Sequence, residues 1–336
     1  MVHHVRMTSA PDFAAPWGAT HHFSDLHGPV HWIHWDGPDT EEGRALDPML
    51  LVHGLGGSHL NWLFVGQAWA KERPVYAVDL RGFGLTPGHP ADTSILANRD
   101  LVVAFIEQVI GRPVVLMGNS MGGMISALVT RARPDLVRGL VLIDPALPLQ
   151  KVKPDPVVAA RFALFAIPGL AERAMKKARL GTPPREVAHQ LIALCFADPT
   201  RIDEQMLDGA VALAAERAEG ELDQGDLERS FTTAARSLMR ILMNQPRYWR
   251  MLAALESPVL LLQGDQDRLV NVAAGRAAAA KNPHWTYVEF AGVGHTPQIE
   301  TPDDVLKVVE AWLTEHALRT QEVDSVSASN ADAGVL

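Results

Sequence analysis

The stretch VVLMGNSMGGMIS, residues 114–126, joins an apolar run to a helix-forming segment through a Gly-x-Ser-x-Gly turn. Ser120 stands between Gly118 and Gly122, where a side chain would collide with neighbouring backbone in a sharp strand-to-helix turn. Such a turn holds the serine in strained backbone angles and places its hydroxyl above the sheet, close to the N–H groups that begin the helix. The pattern therefore predicts that Ser120 is a nucleophile.

Short apolar runs recur along the chain, each closed by Gly, Asp or Pro. They lack polar alternation, which is typical of parallel strands that are buried on both faces. Helix-like segments separate them, so the order of elements predicts an α/β architecture with a mostly parallel sheet. Residues 21–38 instead alternate around His27-Gly28-Pro29, which indicates an antiparallel hairpin at one sheet edge. Besides 113–123, the runs are 49–57, 74–84, 139–148, 258–267 and 286–295.

An Ala- and Leu-rich region breaks this rhythm, because it carries several helix breakers and no convincing strand. It predicts an all-helical insertion between the fourth and fifth of the six runs. The final residues lack aromatic side chains and are rich in Ser, Asp and Ala, which is typical of a disordered tail. The predicted organisation is an N-terminal extension (1–18), a first core part (19–146), a helical cap (147–255), a second core part (256–318) and the tail (319–336).

Composition limits the class of partner. The 336 residues carry 30 Lys and Arg against 39 Asp and Glu, a net charge of −9 that argues against nucleic acid or an anionic membrane as the main partner. No apolar stretch is long enough for stable membrane insertion, and the N-terminus lacks the apolar segment of a secretory signal. Cys195 is the only cysteine, so an internal disulfide is excluded and a cytoplasmic location is expected.

A nucleophilic serine needs a base that is itself oriented by an acid. His295 follows the last predicted strand and has small neighbours, so it is the candidate base. Asp265 and Asp267 directly follow the preceding strand and are both candidate acids. The chain order Ser120, Asp267, His295 is that of a Ser…Asp…His hydrolase triad.

The transition state of acyl transfer also needs two N–H donors for its oxyanion. The N–H of Met121, immediately after the serine, is the first. The glycine-rich loop HGLGGS, residues 53–58, is expected to provide the second, with Leu55 preferred over Gly56.

Together these segments resemble the α/β-hydrolase fold family, in the serine hydrolase branch with a helical cap. The resemblance covers about residues 20–318 apart from the cap. It implies that the last residue of Gly-x-x-Asp, Asp267, is the acid, with Asp265 and then Asp144 as alternatives. It also implies that Asp79 and Arg81 are structural. The matching motifs are HGLG (53–56), DLRGFG (79–84), GNSMGG (118–123), GDQD (264–267) and the Gly-His-x-x-x-x-Glu-x-Pro segment (294–302).

The resemblance also narrows the reaction. A serine at position 120 excludes the related dehalogenases and epoxide hydrolases, which use aspartate there, and indicates cofactor-free acyl transfer. Asn119 before the serine is similar to the carbon–carbon bond hydrolases of aromatic ring-fission products. However, Thr296 stands where those enzymes usually have tryptophan, so a carboxylesterase is favoured. Thioester cleavage, cofactor-free oxygenation and a ligand-binding receptor with little turnover are the remaining alternatives.

The cap is expected to shape the substrate pocket, and its composition favours a small apolar ester. Asn119, Phe162, Phe165 and Met239 are the predicted substrate-binding residues, with Ile167, Leu194, Phe196 and Met243 as further lining candidates. No metal or other cofactor is expected. The N-terminal histidines, including His31, match no metal-ligand spacing and are interpreted as solvated strand and tail positions.

Overall fold

The computed structural model describes residues 12–41, 43, 46–148, 155–219 and 227–327. Within them, eight strands form one sheet in the order β1-β2-β4-β3-β5-β6-β7-β8. Strand β2 pairs antiparallel with β1 and β4, whereas all the other pairs are parallel. The strands are β1 (Thr20–Asp25), β2 (Pro29–Trp35), β3 (Met49–Val52), β4 (Val75–Val78), β5 (Val114–Asn119), β6 (Val137–Ile143), β7 (Val259–Gly264) and β8 (Thr286–Phe290).

This sheet confirms the predicted fold class. The central strands are buried on both faces, because successive residues of β3 join opposite cores: Leu50 lies in one hydrophobic cluster and Leu51 in the other. The expected antiparallel hairpin is present as β1 and β2, with Asp25 opposite Pro29.

Helices cover both faces of the sheet and fill the interval between β6 and β7. The core helices before that interval are α1 (Leu63–Trp69), α2 (Ile95–Phe105) and α3 (Met121–Ala132). Those within it are α4 (Pro156–Phe165), α5 (Leu170–Gly181), α6 (Pro184–Cys195), α7 (Glu204–Glu219), α8 (Leu227–Met243) and α9 (Gln245–Leu252). Those after it are α10 (Val272–Lys281), α11 (Pro297–Glu300) and α12 (Pro302–Ser327).

Polar contacts hold the helices of this interval on the core. The Arg217 guanidinium of α7 donates to the carbonyl oxygens of Gly82 and Gly84, at 2.7 and 2.8 Å. Tyr248 of α9 donates its hydroxyl to the carbonyl oxygen of Ala146, at 3.1 Å. The helical insertion is therefore hydrogen-bonded to core loops as well as packed on them.

The two ends of the chain differ in part from expectation. Residues of the predicted N-terminal extension pack on the core, because Ala14 is fully buried and the Trp35 indole donates to the Trp17 carbonyl oxygen at 2.9 Å. At the other end α12 runs through Ser327, so the tail predicted from residue 319 does not begin before that residue. Residues 1–11, 149–154 and 328–336 lie outside the described part of the chain.

The turn between β5 and α3 is built on two close backbone approaches. A Cβ added to Gly118 would lie 2.4 Å from the carbonyl oxygen of Gly122. A Cβ on Gly122 would lie 2.2 Å from the carbonyl oxygen of Val52, at the end of β3. Between them Ser120 has φ 54° and ψ −117°, a strained conformation for a residue with a side chain. The turn thus requires glycine on both sides of the serine.

Gly122→Ala is expected to destabilise the fold by about 3 kcal/mol, because its methyl group meets fixed backbone rather than a flexible side chain. Gly209→Ala in α7 is the control. It has open space around its Cβ and should stabilise the helix by up to about 1 kcal/mol. Urea unfolding of both variants measures the two effects, and equal stabilities would contradict the close packing of α3 on β3.

Candidate active site

Ser120 lies where β5 ends and α3 begins, half-buried and directly beside the glycine-rich loop. A Cβ added to Gly54 would be 3.1 Å from the Ser120 Cβ. The loop that follows β3 therefore lies against the serine.

His295 and Asp267 form a buried pair in the loops after β8 and β7. Nδ1 of His295 lies 2.7 Å from Oδ2 of Asp267. The other carboxylate oxygen of Asp267 accepts the backbone N–H groups of Leu269 and Val270, at 2.7 and 2.9 Å. Because Asp267 occupies Nδ1, the imidazole keeps Nε2 for another partner, and no described residue bonds it.

The two alternative acids are placed differently. Asp265 accepts the backbone N–H of Gly292 at 2.8 Å, so its carboxylate stabilises the loop that leads to the histidine. Asp144, after β6, is fully buried and accepts the backbone N–H of Gly264 and the amide of Gln263, at 2.9 and 2.6 Å. Of the three aspartates, Asp267 is the one that is hydrogen-bonded to His295.

Asp144 nevertheless lies within the same polar cluster. Ligand-type atoms of Asp144, Asp267 and His295 all lie within 4.8 Å of one another. Burial raises the pKa of Asp144 well above its ordinary value of 3.8, and the adjacent charge of Asp267 adds to this shift. Its Oδ2 has no hydrogen-bond partner among the described residues.

Asn119 has a different placement from the substrate contact that the sequence suggested. Its side chain is almost fully buried, and its amide nitrogen donates to the carbonyl oxygens of Ile143 and His295, at 3.1 and 3.0 Å. Asn119, the residue before Ser120, is therefore hydrogen-bonded to the loop that carries His295.

The backbone N–H groups that are expected to bind an oxyanion make no hydrogen bond within the described part of the chain. No acceptor among the described residues takes the N–H of Leu55 or Met121, and Met121 is the first residue of α3, where helical N–H groups have no internal partner. His53 stabilises the loop, since Nδ1 lies 2.8 Å from the Gly54 carbonyl oxygen and Nε2 accepts the N–H of Leu80. Burial lowers the pKa of His53 to about 4, so this imidazole is neutral.

The predicted pocket residues of the helical insertion separate into three groups by exposure. Phe162 and Phe165 lie partly buried with ring centroids 6.0 Å apart, while Met239 is partly buried without a described contact to the site. Ile167 and Met243 are 50% and 81% exposed on the outer surface, so neither lines a pocket, contrary to expectation. Leu194 and Phe196 are buried.

An aromatic contact that the sequence analysis missed connects α4 to the glycine-rich loop. The Phe231 ring of α8 lies 5.4 Å from that of Phe165 and 6.4 Å from that of Phe83. An added Cβ on Gly56 would be 3.2 Å from the Phe231 ring. Phe231 lies about 175 residues beyond the glycine-rich loop in the sequence, and only the fold brings it to that loop.

Glu300 was also missed as a functional contact, although its motif was found. Its carboxylate accepts the backbone N–H groups of Gly294, Ala197 and Asp198, at 2.7 to 3.1 Å. The carbonyl oxygen of Cys195 accepts the backbone N–H of His295 at 2.5 Å. The end of α6 is thus fixed against the histidine loop. Burial raises the pKa of the Cys195 thiol to about 12, which keeps it protonated.

A second buried cluster contradicts the interpretation of His31 as a solvated position. His31 is 1% exposed, and its Nδ1 lies 2.7 Å from Oδ2 of Asp79, which also contacts Nδ1 of His59 at 2.9 Å. These three atoms are close enough to hold a metal ion, as are those of the Asp144 cluster. Two N–H groups donating to one carboxylate account for the distances as hydrogen bonds, and Asp79 has the structural role that the family resemblance implies.

The chain belongs to the Alpha/beta hydrolase family, whose model matches residues 49–308. The fold and the arrangement of strand-end residues described above agree with this membership.

Individual relatives are distant. The dihydrolipoyllysine-residue acetyltransferase component of the acetoin cleaving system of Pseudomonas putida is 28% identical over 282 residues, which cover 82% of this chain and 65% of that protein. Lipase LipV of Mycobacterium tuberculosis is 33% identical over 165 residues, 49% of this chain and 58% of that protein. The chain thus spans less than two thirds of the length of these two relatives.

Among solved structures, a thermophilic esterase from Thermogutta terrifontis has a TM-score of 0.64 at 22% identity, covering 94% of this chain and 99% of its own. That likeness shows the fold.

Asp144→Asn is expected to remove a pH-dependent loss of stability. Above about pH 4 the unfolded chain releases the Asp144 proton while the folded protein retains it, so the free energy of unfolding falls by about 1.4 kcal/mol per pH unit. Asparagine has no such proton. The stability of the variant relative to wild type should therefore rise as the pH increases above about 4, with at most that slope, measured by urea unfolding. Asp265→Asn is the control, and a pH-independent difference for Asp144→Asn would show that Asp144 is ionised in the fold.

Proposed function

We propose that this protein is a cofactor-independent serine hydrolase that cleaves an ester or related acyl bond of a small apolar molecule. The observation that carries the proposal is the hydrogen bond between His295 Nδ1 and Asp267 Oδ2, which leaves Nε2 free in a loop tied to the residue beside Ser120. That is the orientation in which an imidazole takes a proton from a serine hydroxyl.

In the proposed first half-reaction, Nε2 of His295 accepts the Ser120 hydroxyl proton as the oxygen attacks the substrate carbonyl carbon. Asp267 stabilises the resulting imidazolium without taking its proton. The carbonyl oxygen becomes an oxyanion, which the N–H groups of Leu55 and Met121 bind. The bond to the leaving alcohol then breaks, and His295 donates the proton to that alcohol.

In the second half-reaction water replaces the alcohol. His295 removes a proton from the water, whose oxygen attacks the acyl-serine carbonyl, and the same two donors bind the second oxyanion. Collapse of this intermediate releases the carboxylic acid, and His295 returns the proton to Ser120. The sequence of steps consumes one ester and one water and restores the enzyme.

An apolar substrate is supported by the surroundings of the serine. Phe231 and Phe165 extend an aromatic surface from the glycine-rich loop into the helical cap. The likeness to a lipase adds support, since lipases act on apolar esters. The buried, backbone-bonded amide of Asn119 indicates that this residue positions the histidine loop instead of contacting substrate.

Labelling with a fluorophosphonate tests the nucleophile. We expect covalent modification of Ser120, located by peptide mass spectrometry, and no labelling of Ser120→Ala. If folded wild-type protein is not labelled and hydrolyses no ester, the binding-protein alternative replaces the proposal. Turnover of ring-fission dienones in preference to p-nitrophenyl esters would instead support carbon–carbon hydrolysis.

Asp267→Asn is expected to lower kcat for p-nitrophenyl butyrate about 10⁴-fold, because the amide disfavours the histidine tautomer that the reaction needs. Asp265→Asn is the matched control and should keep nearly full activity, because its carboxylate contacts the Gly292 N–H and not the imidazole. The reverse ranking of the two variants would assign the acid to Asp265.

Phe231→Ala is expected to raise the ratio of kcat/KM for p-nitrophenyl octanoate over acetate about tenfold, because removing the ring opens space beside the glycine-rich loop. Phe64→Ala is the matched control, since that ring packs on Trp17 at a centroid distance of 4.8 Å. An unchanged ratio in Phe231→Ala would remove this residue from the acyl site.

A further inference from the structure

The outer surface of α4, α5 and their connecting turn exposes large apolar side chains. Val157 and Ile167 are about half exposed, as is Leu170 at the start of α5, while Leu180 near its end is 71% exposed. Most other large apolar residues of the described chain lie in the cores. This surface therefore presents several apolar side chains that other residues of the cap leave exposed.

Basic residues share the exposed side of α5. Helical spacing places Leu170, Arg173, Lys177 and Leu180 on one stripe, with Lys176 next to it, and all five are exposed. No acidic residue of α5 lies there, because its only one, Glu172, is turned towards the cap interior. We call this set of five residues the α5 face.

Among the described residues, the acidic side chains of α4 and α5 and of the turns that begin them are already paired. Glu172 contacts Arg236 of α8 at 2.8 Å, and Asp155 at the start of α4 contacts Arg268 at 2.9 Å. Across residues 155–181 there are five basic side chains against these two acids, whereas the whole chain carries a net charge of −9. The local charge of this segment is therefore opposite to that of the protein.

We propose that the α5 face docks the protein reversibly on the surface of an anionic phospholipid bilayer. Each Lys or Arg near such a surface contributes about 1 kcal/mol, and the flanking apolar side chains enter the headgroup boundary. In the part of the chain that the structure describes, no helix has the length and apolar character for crossing a bilayer, so the contact is peripheral. The net charge of −9 belongs to the whole chain, and the α5 face is a local basic region within it.

The geometry links this surface to the candidate active site. The α4 helix that borders it carries Phe162 and Phe165 on its partly buried side, and Phe165 contacts Phe231 beside the glycine-rich loop. A protein docked through the α5 face thus presents the cap to the membrane, where an apolar ester is concentrated. The docking itself does not depend on the proposed hydrolysis.

Vesicle co-sedimentation of the full chain carrying Ser120→Ala tests the docking without lipid turnover. We expect binding to vesicles of equal parts phosphatidylcholine and phosphatidylglycerol, weakened by added salt, and no binding to phosphatidylcholine alone. Lys176→Glu with Lys177→Glu should weaken binding about 30-fold or more, from the loss of two contributions of about 1 kcal/mol each. Leu170→Ser with Leu180→Ser, which leaves the charge unchanged, should weaken it as well.

The matched control is Lys71→Glu with Lys307→Glu. It changes the net charge equally at an exposed surface shared with Glu72, Asp303 and Glu310, and it should bind like wild type. Circular dichroism and urea unfolding of each α5-face variant verify its folding. Absence of binding, equal binding to both vesicles, or an equal loss in the control would each overturn the docking proposal, whether or not the protein is a hydrolase.

Discussion

The close approach of α3 to the end of β3 is the constraint on which the candidate site depends. The carbonyl oxygen of Val52 would lie 2.2 Å from a Cβ at position 122, so the first turn of the helix reaches this place only because Gly122 has no side chain. The same approach holds Ser120 in its strained conformation and brings Gly54 against it. Ser120 and the glycine-rich loop, which are distant in sequence, thus become neighbours through one packed contact.

The second requirement is a stable set of buried polar groups beneath the histidine. A buried carboxylate is costly unless it is hydrogen-bonded, and Asp267 meets this condition with two backbone N–H groups and the imidazole. Asp144 lies next to it, and burial together with the adjacent Asp267 carboxylate raises the pKa of Asp144 well above its ordinary value. The Gln263 amide donates to both carboxyl groups, at 2.6 and 3.3 Å, and holds them in this arrangement.

The helical cap has two surfaces with different chemistry. Its inner side contacts the core through directional bonds, such as that of Arg217 to the Gly82 carbonyl oxygen and those of Glu300 to the end of α6. Its outer side, at α5, has exposed leucines among lysines and an arginine that pair with no acidic side chain in the described part of the chain. The aromatic contact of Phe165 with Phe231 suits an apolar substrate, and the basic outer side at α5 suits an anionic surface.

The sequence by itself determined the fold class and indicated Ser120 and His295, because strand ends and glycine turns are local patterns in an alternating α/β chain. It also placed Asp144, Asp265 and Asp267 after strands at one edge of the sheet. The residues alone did not show which of these aspartates contacts His295. Only the tertiary structure decided that Asp267 is hydrogen-bonded to the His295 imidazole. It also decided that the buried Asn119 amide is hydrogen-bonded to the histidine loop and that Phe231 lies against the glycine-rich loop. Those outcomes depend on how distant elements pack, and side-chain pairing across elements has no local pattern in the sequence.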